Sequence, residues 1–491
     1  MSIFVIRDSL FAILSAIIFA FSTFFLPPAP EPGPAPDPPV QLAESEGLAF
    51  TLSEDGESYG LAGIGSCTDT VVVIPRLYEG KPVTEVLGNA FNRNPDITEV
   101  IFPDTLVTIG KDAFYGCPAL EHISLPERLE VIGTRAFDQC TALTEVRLPS
   151  GLRTVGEWAF YRTGLREITI PKSLTDLQCN AFSGCSGMSV MKVEEGNPRF
   201  HSAGNCIIET AEKQLYSGCA ASVIPSDGSV ERIGLFAFYN SPIEKIFIPD
   251  TIRVLGDECF DSCYSLAEVR LSANLEEIGF AAFRHCIIER IDLPDSLKVI
   301  GRNAFDDCTH LSEVRLGSGL EQIQRYAFVN NIFTELVIPE NVRNLEPEFI
   351  RGCDQLEKFT VKEGNETYHS AGNCIIETAS KTLVAGCNSS VIPADGSVTA
   401  IGAYAFARSR TITELVIPEG VTRIGEEAFI YAESLKKVTL PASLKTVERA
   451  AFYYSGLETA VYAGTAAEWQ QVSIAGYNDL LRNAAFTFKE E

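Results

Sequence analysis

Cysteine, histidine and carboxylate side chains are the groups in this chain that could carry thiol, metal or acid–base chemistry, and their spacing decides how far each can go. Residues 201–211 (HSAGNCIIETA) recur identically at 369–379, and each copy reads as a β-hairpin. Cys206 and Cys219 are equidistant from the centre of Glu212-Lys213, and Cys374 and Cys387 from the centre of Ser380-Lys381. In a two-stranded antiparallel ribbon, residues symmetric about the turn face each other with Cα atoms about 4.5–5.5 Å apart, within disulfide range. Cys206–Cys219 and Cys374–Cys387 are therefore candidate disulfides, with unbonded neighbouring thiols as the alternative. A metal reading would add His201 or His369 and reach only three ligands per site.

Seven more cysteines share one slot of a repeating unit: Cys117, Cys140, Cys185, Cys263, Cys286, Cys308 and Cys353. Other copies place Asn94, Thr163, Ser241, Asn331, Ser409, Ala432 or Ser455 there. A slot that accepts all of these is a small buried niche, in which cysteine acts as a packed free thiol. Zinc needs tight pairs such as C-x-x-C, and the chain has none. It also lacks G-x-S-x-G, H-E-x-x-H, a P-loop and G-x-G-x-x-G. Carboxylates are spread through the repeats, with no pair set apart as acid and base. The expectation is no catalytic site, no metal and no cofactor.

One carboxylate pattern suggests binding. Glu145, Glu167, Glu268, Glu313, Glu335 and Glu414, with Glu99, each precede the central apolar residue of an expected strand. Other copies hold His122, Lys245, Arg290, Lys358 or Lys437 there, and Arg147, Arg270 and Arg315 follow two residues after a Glu. Stacking would align these positions in a row. The row is either a soluble sheet face that discourages edge pairing or an acidic ladder that a cationic partner or divalent ion would relieve.

The elements that must position these residues come from a repeat. A phenylalanine, usually after alanine, recurs at 91, 114, 137, 160, 182, 238, 260, 283, 305, 328, 406, 429 and 452, and Ile350 fills the same slot once. Apart from two long gaps, neighbouring copies lie 22 or 23 residues apart. Residues 129–149 (LEVIGTRAFDQCTALTEVRLP) show the unit. Leu143 to Pro149 alternates apolar and polar residues, as a half-buried strand does, and proline ends it. Leu129 to Gly133 is a second extended piece, and the A-F segment between them reads as one short helical turn. A single unit cannot bury its apolar side alone, but stacked units share a core.

This unit resembles the leucine-rich repeat of the BspA-like (Treponema-type) surface proteins, over about residues 47–491. The resemblance implies a leucine-rich repeat solenoid, mostly β with one short helical turn per repeat, capped at both ends and carrying two inserted β-hairpins. The expected layout is an N-terminal cap at 47–90, a solenoid at 91–460 with hairpins near 195–225 and 363–393, and a C-terminal cap at 461–491 that places Trp469 over the last phenylalanine layer.

Ahead of the solenoid, Ser9 to Leu26 contains no charge; as a helix it would span about 27 Å. Residues 1–26 read as a signal peptide or an N-terminal membrane anchor. The linker at 27–46 packs eight prolines into Pro27–Pro39 and suits a stiff polyproline spacer. The net charge is -26, from 39 Lys plus Arg against 65 Asp plus Glu, so nucleic acid is not an expected partner. The expected protein is extracellular or at the cell surface, touches membrane only through its N-terminal segment, and is a monomer. The resemblance implies a non-catalytic binder of an extracellular protein or glycan. The rivals are a structural surface spacer and a platform attached to glycan-related enzymatic activity.

Overall fold

The computed structural model describes residues 43–489. The expected N-terminal segment and nearly all of the proline-rich linker lie outside them. No helix among the described residues is long and apolar enough to cross a membrane.

Each repeat makes one coil of a stack. In the unit above, the strand Val131–Ile132 pairs parallel with Thr108–Ile109 before it and Thr154–Val155 after it. The phenylalanines sink inward and form three ladders. Phe91, Phe114, Phe137, Phe160 and Phe182 stack at 4.9 to 5.6 Å between ring centroids. A second ladder runs Phe238, Phe260, Phe283, Phe305 and Phe328, and a third Phe406, Phe429 and Phe452. Three hydrophobic cores correspond to the three ladders.

The expected helical turn takes the form of a run of tight turns whose backbone bonds mainly to the next coil. Asp112 and Gly116, two residues either side of Phe114, have φ of 55° and 68°; Arg135 and Gln139 around Phe137 repeat this at 56° and 61°. Such left-handed residues interrupt the helical hydrogen-bond pattern. They free the Asp112, Phe114 and Gly116 amides to donate to Thr134, Ala136 and Asp138 carbonyls at 2.9, 2.8 and 2.7 Å. A non-glycine residue in this region costs roughly 1–2 kcal/mol, which the inter-coil hydrogen bonds offset.

The cysteine slot belongs to the same turn. Each of its seven cysteines donates its S–H to the carbonyl of the phenylalanine one repeat earlier: Cys140 to Phe114 at 3.1 Å, Cys308 to Phe283 at 3.1 Å and Cys353 to Phe328 at 2.9 Å are examples. Asn331 Nδ2 serves Phe305 in the same way at 2.9 Å. Thus the niche selects a small volume in every copy, and the cysteine and Asn331 copies add a donor; Ala432 has none. The slot's serines do not make the cysteines' bond: Ser455 donates to Phe452 of its own repeat at 2.8 Å, and the Ser241 and Ser409 hydroxyls have no partner, so Cys140→Ser is expected to lose about 1–2 kcal/mol. Cys140→Ala removes the S–H donor while the Phe114 carbonyl keeps the Cys117 amide at 3.3 Å, and is expected to lose about 1 kcal/mol in denaturant titration.

The two insertions are larger than hairpins. The first is a three-stranded antiparallel meander, Phe200–Ala203, Cys206–Glu209 and Gln214–Ser217; the second is Tyr368–Ala371, Cys374–Glu377 and Thr382–Gly386. The last strand of each pairs parallel with the next coil. The N-terminal cap does the same, with Ala49–Leu52 antiparallel to Tyr59–Gly63 and the latter parallel to Lys81–Val86. The solenoid is therefore started three times, each time from an antiparallel ribbon.

At the C-terminal end, Thr459–Tyr462 pairs parallel with Ala485–Phe488. Trp469 packs on Tyr462 and Phe486 at 5.0 and 4.7 Å. The Phe452 amide at the end of the last ladder is met by the buried side chain of Asn478 at 3.1 Å.

Candidate functional site

The insertions decide the fate of the paired cysteines. In the first, Glu209 pairs with Gln214 and Ile208 with Leu215, but Ile207 pairs with Ser217. This β-bulge adds one residue, Tyr216, to the Gln214–Ser217 strand, and a one-residue slip turns side chains to the other face. The second insertion carries the same bulge, and there Cys374 sits opposite Gly386, not Cys387. Each ribbon is a partition between two cores. Cys206 enters the middle core and Cys219 the first; Cys374 enters the last and Cys387 the middle. The expected Cys206–Cys219 and Cys374–Cys387 pairs are thus drawn toward different cores, and all fourteen cysteines stand unjoined in this structure. Burial pushes the Cys206 thiol up to about 12 and Cys374 up to about 11. His201 and His369 form hydrogen bonds with the neighbouring threonines Thr210 and Thr378 at 2.8 and 2.9 Å.

The strand face carries the expected glutamates, but not as an unbroken acidic row. Glu268 lies opposite Lys245 in the parallel register. Glu313 pairs with Arg290 at 3.1 Å, Glu335 with Lys358 at 3.3 Å and Glu414 with Lys437 at 3.1 Å. Glu167 lies opposite Val190, and Glu145 is exposed outside the regular strands. The basic residues of the same slot are the cross-strand partners of the acids, so most of the like-charge repulsion that would call for a cation is already relieved. Exposed pairs of this kind contribute about 0–1 kcal/mol each; they set register more than stability.

Among these charges stand apolar side chains whose exposure the sequence pattern did not reveal. Val223 is 72% exposed and Phe247 51%; Val391 is 71% and Val416 62%. Each pair holds the residue before the terminal Ile-Pro of two successive coils, directly after an insertion. Arg270 lies over the Phe247 ring at 4.8 Å.

The turn face differs at the two insertions. There the inserted coil brings Gly218 or Gly386 to the place of the A-F turn, because a Cβ at either would strike the ring of Phe238 or Phe406. The flanking turns then approach over the gap. At the first gap, aromatic side chains close it: Trp158 lies 5.7 Å from Phe236 and 5.3 Å from Tyr239. At the second, Arg325 crosses to lie 5.1 Å over Tyr404. Buried Glu348 accepts from Arg325, from Arg351 at 2.7 Å and from the Tyr326 hydroxyl at 2.9 Å. Burial acts to raise the Glu348 pKa, but hydrogen bonds from Arg325, Arg351 and Tyr326 outweigh it and hold the carboxyl below its ordinary value.

A family model described as a BspA type leucine rich repeat region matches residues 74–189, 207–295, 276–380 and 374–477. The chain belongs to this family. The BspA-type chain is also similar to a solved leucine-rich repeat protein from Bacteroides ovatus, with 21% identity, a TM-score of 0.43, and coverage of 92% of this chain and 100% of that one. A leucine-rich repeat protein from Eubacterium ventriosum shows 18% identity and a TM-score of 0.46, covering 63% and 93%. A leucine rich cell surface protein from Faecalibacterium prausnitzii shows 16% identity and a TM-score of 0.31, covering 89% and 99%. No curated protein matches the BspA-type chain.

Proposed function

We propose that this chain is a non-catalytic binding scaffold, exported and held at the surface or released, that engages an extracellular protein or glycan. The observation that carries this reading is the strand face. Long arrays of charge-paired strands are interrupted at two places, 168 residues apart in sequence for Val223 and Val391, by adjacent apolar side chains left in solvent. Buried apolar anchors surrounded by polar groups are where binding energy concentrates in protein interfaces. The charged surround keeps the face soluble and selects orientation. Export rests on the uncharged run Ser9 to Leu26 and the proline spacer behind it.

The test is a double substitution, Phe247→Glu with Val416→Glu, in the full chain. Both side chains are exposed, so thermal unfolding is expected to match the native chain. Binding to immobilised extracellular matrix proteins, measured by surface plasmon resonance, is expected to fall about tenfold or more. Unchanged binding by the double variant, or no binding by the native chain, would overturn this assignment of the face.

A further inference from the structure

We infer that the gap in the turn face at the second insertion is a binding site for a carboxylate-bearing sugar, presented as one acidic residue of a glycan. This deepens the reading above without using the strand-face anchors, so either can fail alone. The site is a cleft of about 250 Å³ whose walls include Arg351, Tyr404, Arg408 and Glu427. That is below the roughly 300–1,000 Å³ of clefts that take drug-sized ligands, and suits one sugar residue rather than a folded loop.

Its arginines are held in place by neighbouring side chains. The Nε groups of Arg351 and Arg408 are buried beneath the cleft wall without a hydrogen-bond partner, so it is the guanidinium ends that a ligand would meet. Arg351 already spends Nη1 on Glu348 at 2.7 Å. Arg408 has no carboxylate partner among the described residues; its guanidinium is held over the Tyr431 ring at 5.3 Å. A planar guanidinium without a carboxylate partner and fixed by an aromatic face is suited to a carboxylate. The acceptors matter equally. Glu427 lines the same cleft and would repel a ligand that offered only an anion, but it accepts from hydroxyls. A sugar acid brings both: a carboxylate for Arg408 and Arg351, and hydroxyls for Glu427. A polyanionic glycan is disfavoured by the net charge of -26.

The first insertion supplies the contrast. It has the same ribbon, the same glycine and the same missing turn, but Trp158, Phe236 and Tyr239 meet there. Aromatic packing bridges that gap beside an open cleft of about 520 Å³ lined by Arg162, Asn240 and Tyr264, whereas at the second insertion an arginine spans it.

The experiment is saturation-transfer NMR with calorimetry on the full chain, using N-acetylneuraminic acid and glucuronic acid as probes and glucose and glutarate as comparisons. At least one acidic sugar is expected to bind about tenfold or more tighter than either comparison, and to weaken with salt. Arg408→Gln is expected to lower that affinity about tenfold or more with its melting temperature unchanged. If R408Q does not fold, R408K, which keeps the charge but not the planar fork, is expected to show the same loss. Failure of both acidic sugars to bind, equal binding of glucose, or full affinity in the variant overturns the site. Binding of glutarate as tight as the sugars overturns the sugar assignment and leaves a bare carboxylate contact, as from a protein side chain.

Discussion

Phe283→Ala is expected to destabilise the chain by about 3–5 kcal/mol. Phe283 is fully buried and sits in the middle of the second ladder, 5.3 Å from Phe260 and 5.4 Å from Phe305. Truncation removes the transfer free energy of a ring and also leaves a cavity between two rings that cannot close, because inter-coil hydrogen bonds fix the coil spacing. Phe182 ends the first ladder, is 5% exposed and stacks only on Phe160, at 5.6 Å. Phe182→Ala is therefore expected to cost less than Phe283→Ala. Denaturant titration of the two variants beside the native chain checks the order, and equal losses would show that the ladders do not act as nearest-neighbour stacks.

Glu348→Gln is expected to cost about 3 kcal/mol, the lower end of the range for removing one member of a buried ion pair. The Glu348 side chain is 2% exposed, while Arg325 and Arg351 keep 37% and 25% of theirs in solvent. Hydration of the two arginines softens the loss, but their charges would then face only a neutral amide. The pH dependence follows from the direction of the shift. Glu348 is held below its ordinary value of 4.5 in the folded chain. Its contribution is present above that value and is lost as pH falls through the lower folded value. The native chain is thus expected to be destabilised below about pH 4.5 more steeply than the Glu348→Gln variant, as read from melting temperature against pH.

The stack itself was legible because burial repeats with the chain: thirteen phenylalanines at a near-constant spacing mark the coils, and proline and glycine mark where strands stop. The cysteine niche was half legible. Its small volume was plain from the residues that share it. The bond it makes was not: the carbonyl that the cysteines and Asn331 serve belongs to another repeat, whereas Thr163 and Ser455 turn to the phenylalanine of their own. The cysteine pairing rests on symmetry about a turn, which assumes a regular ribbon. The bulge between Ile207 and Ile208, and its copy between Ile375 and Ile376, has no mark in the residue pattern. The charged row was legible with both of its readings, and the register adds that Glu313 meets Arg290 of the coil before it. The cleft was the least accessible to sequence. Arg325 and Tyr404 are far apart in the chain and meet only because the inserted coil carries Gly386 where a phenylalanine turn would stand.

Whether the solenoid holds an extracellular partner is tested most directly by adhesion. Cells that produce the full chain and otherwise identical cells that lack it are allowed to settle on immobilised extracellular matrix proteins and mucin glycoproteins. Retention of more producing cells, reversed by adding the purified chain as competitor, is the expected result. Equal retention of the two on every surface would contradict the binding role and leave a spacer.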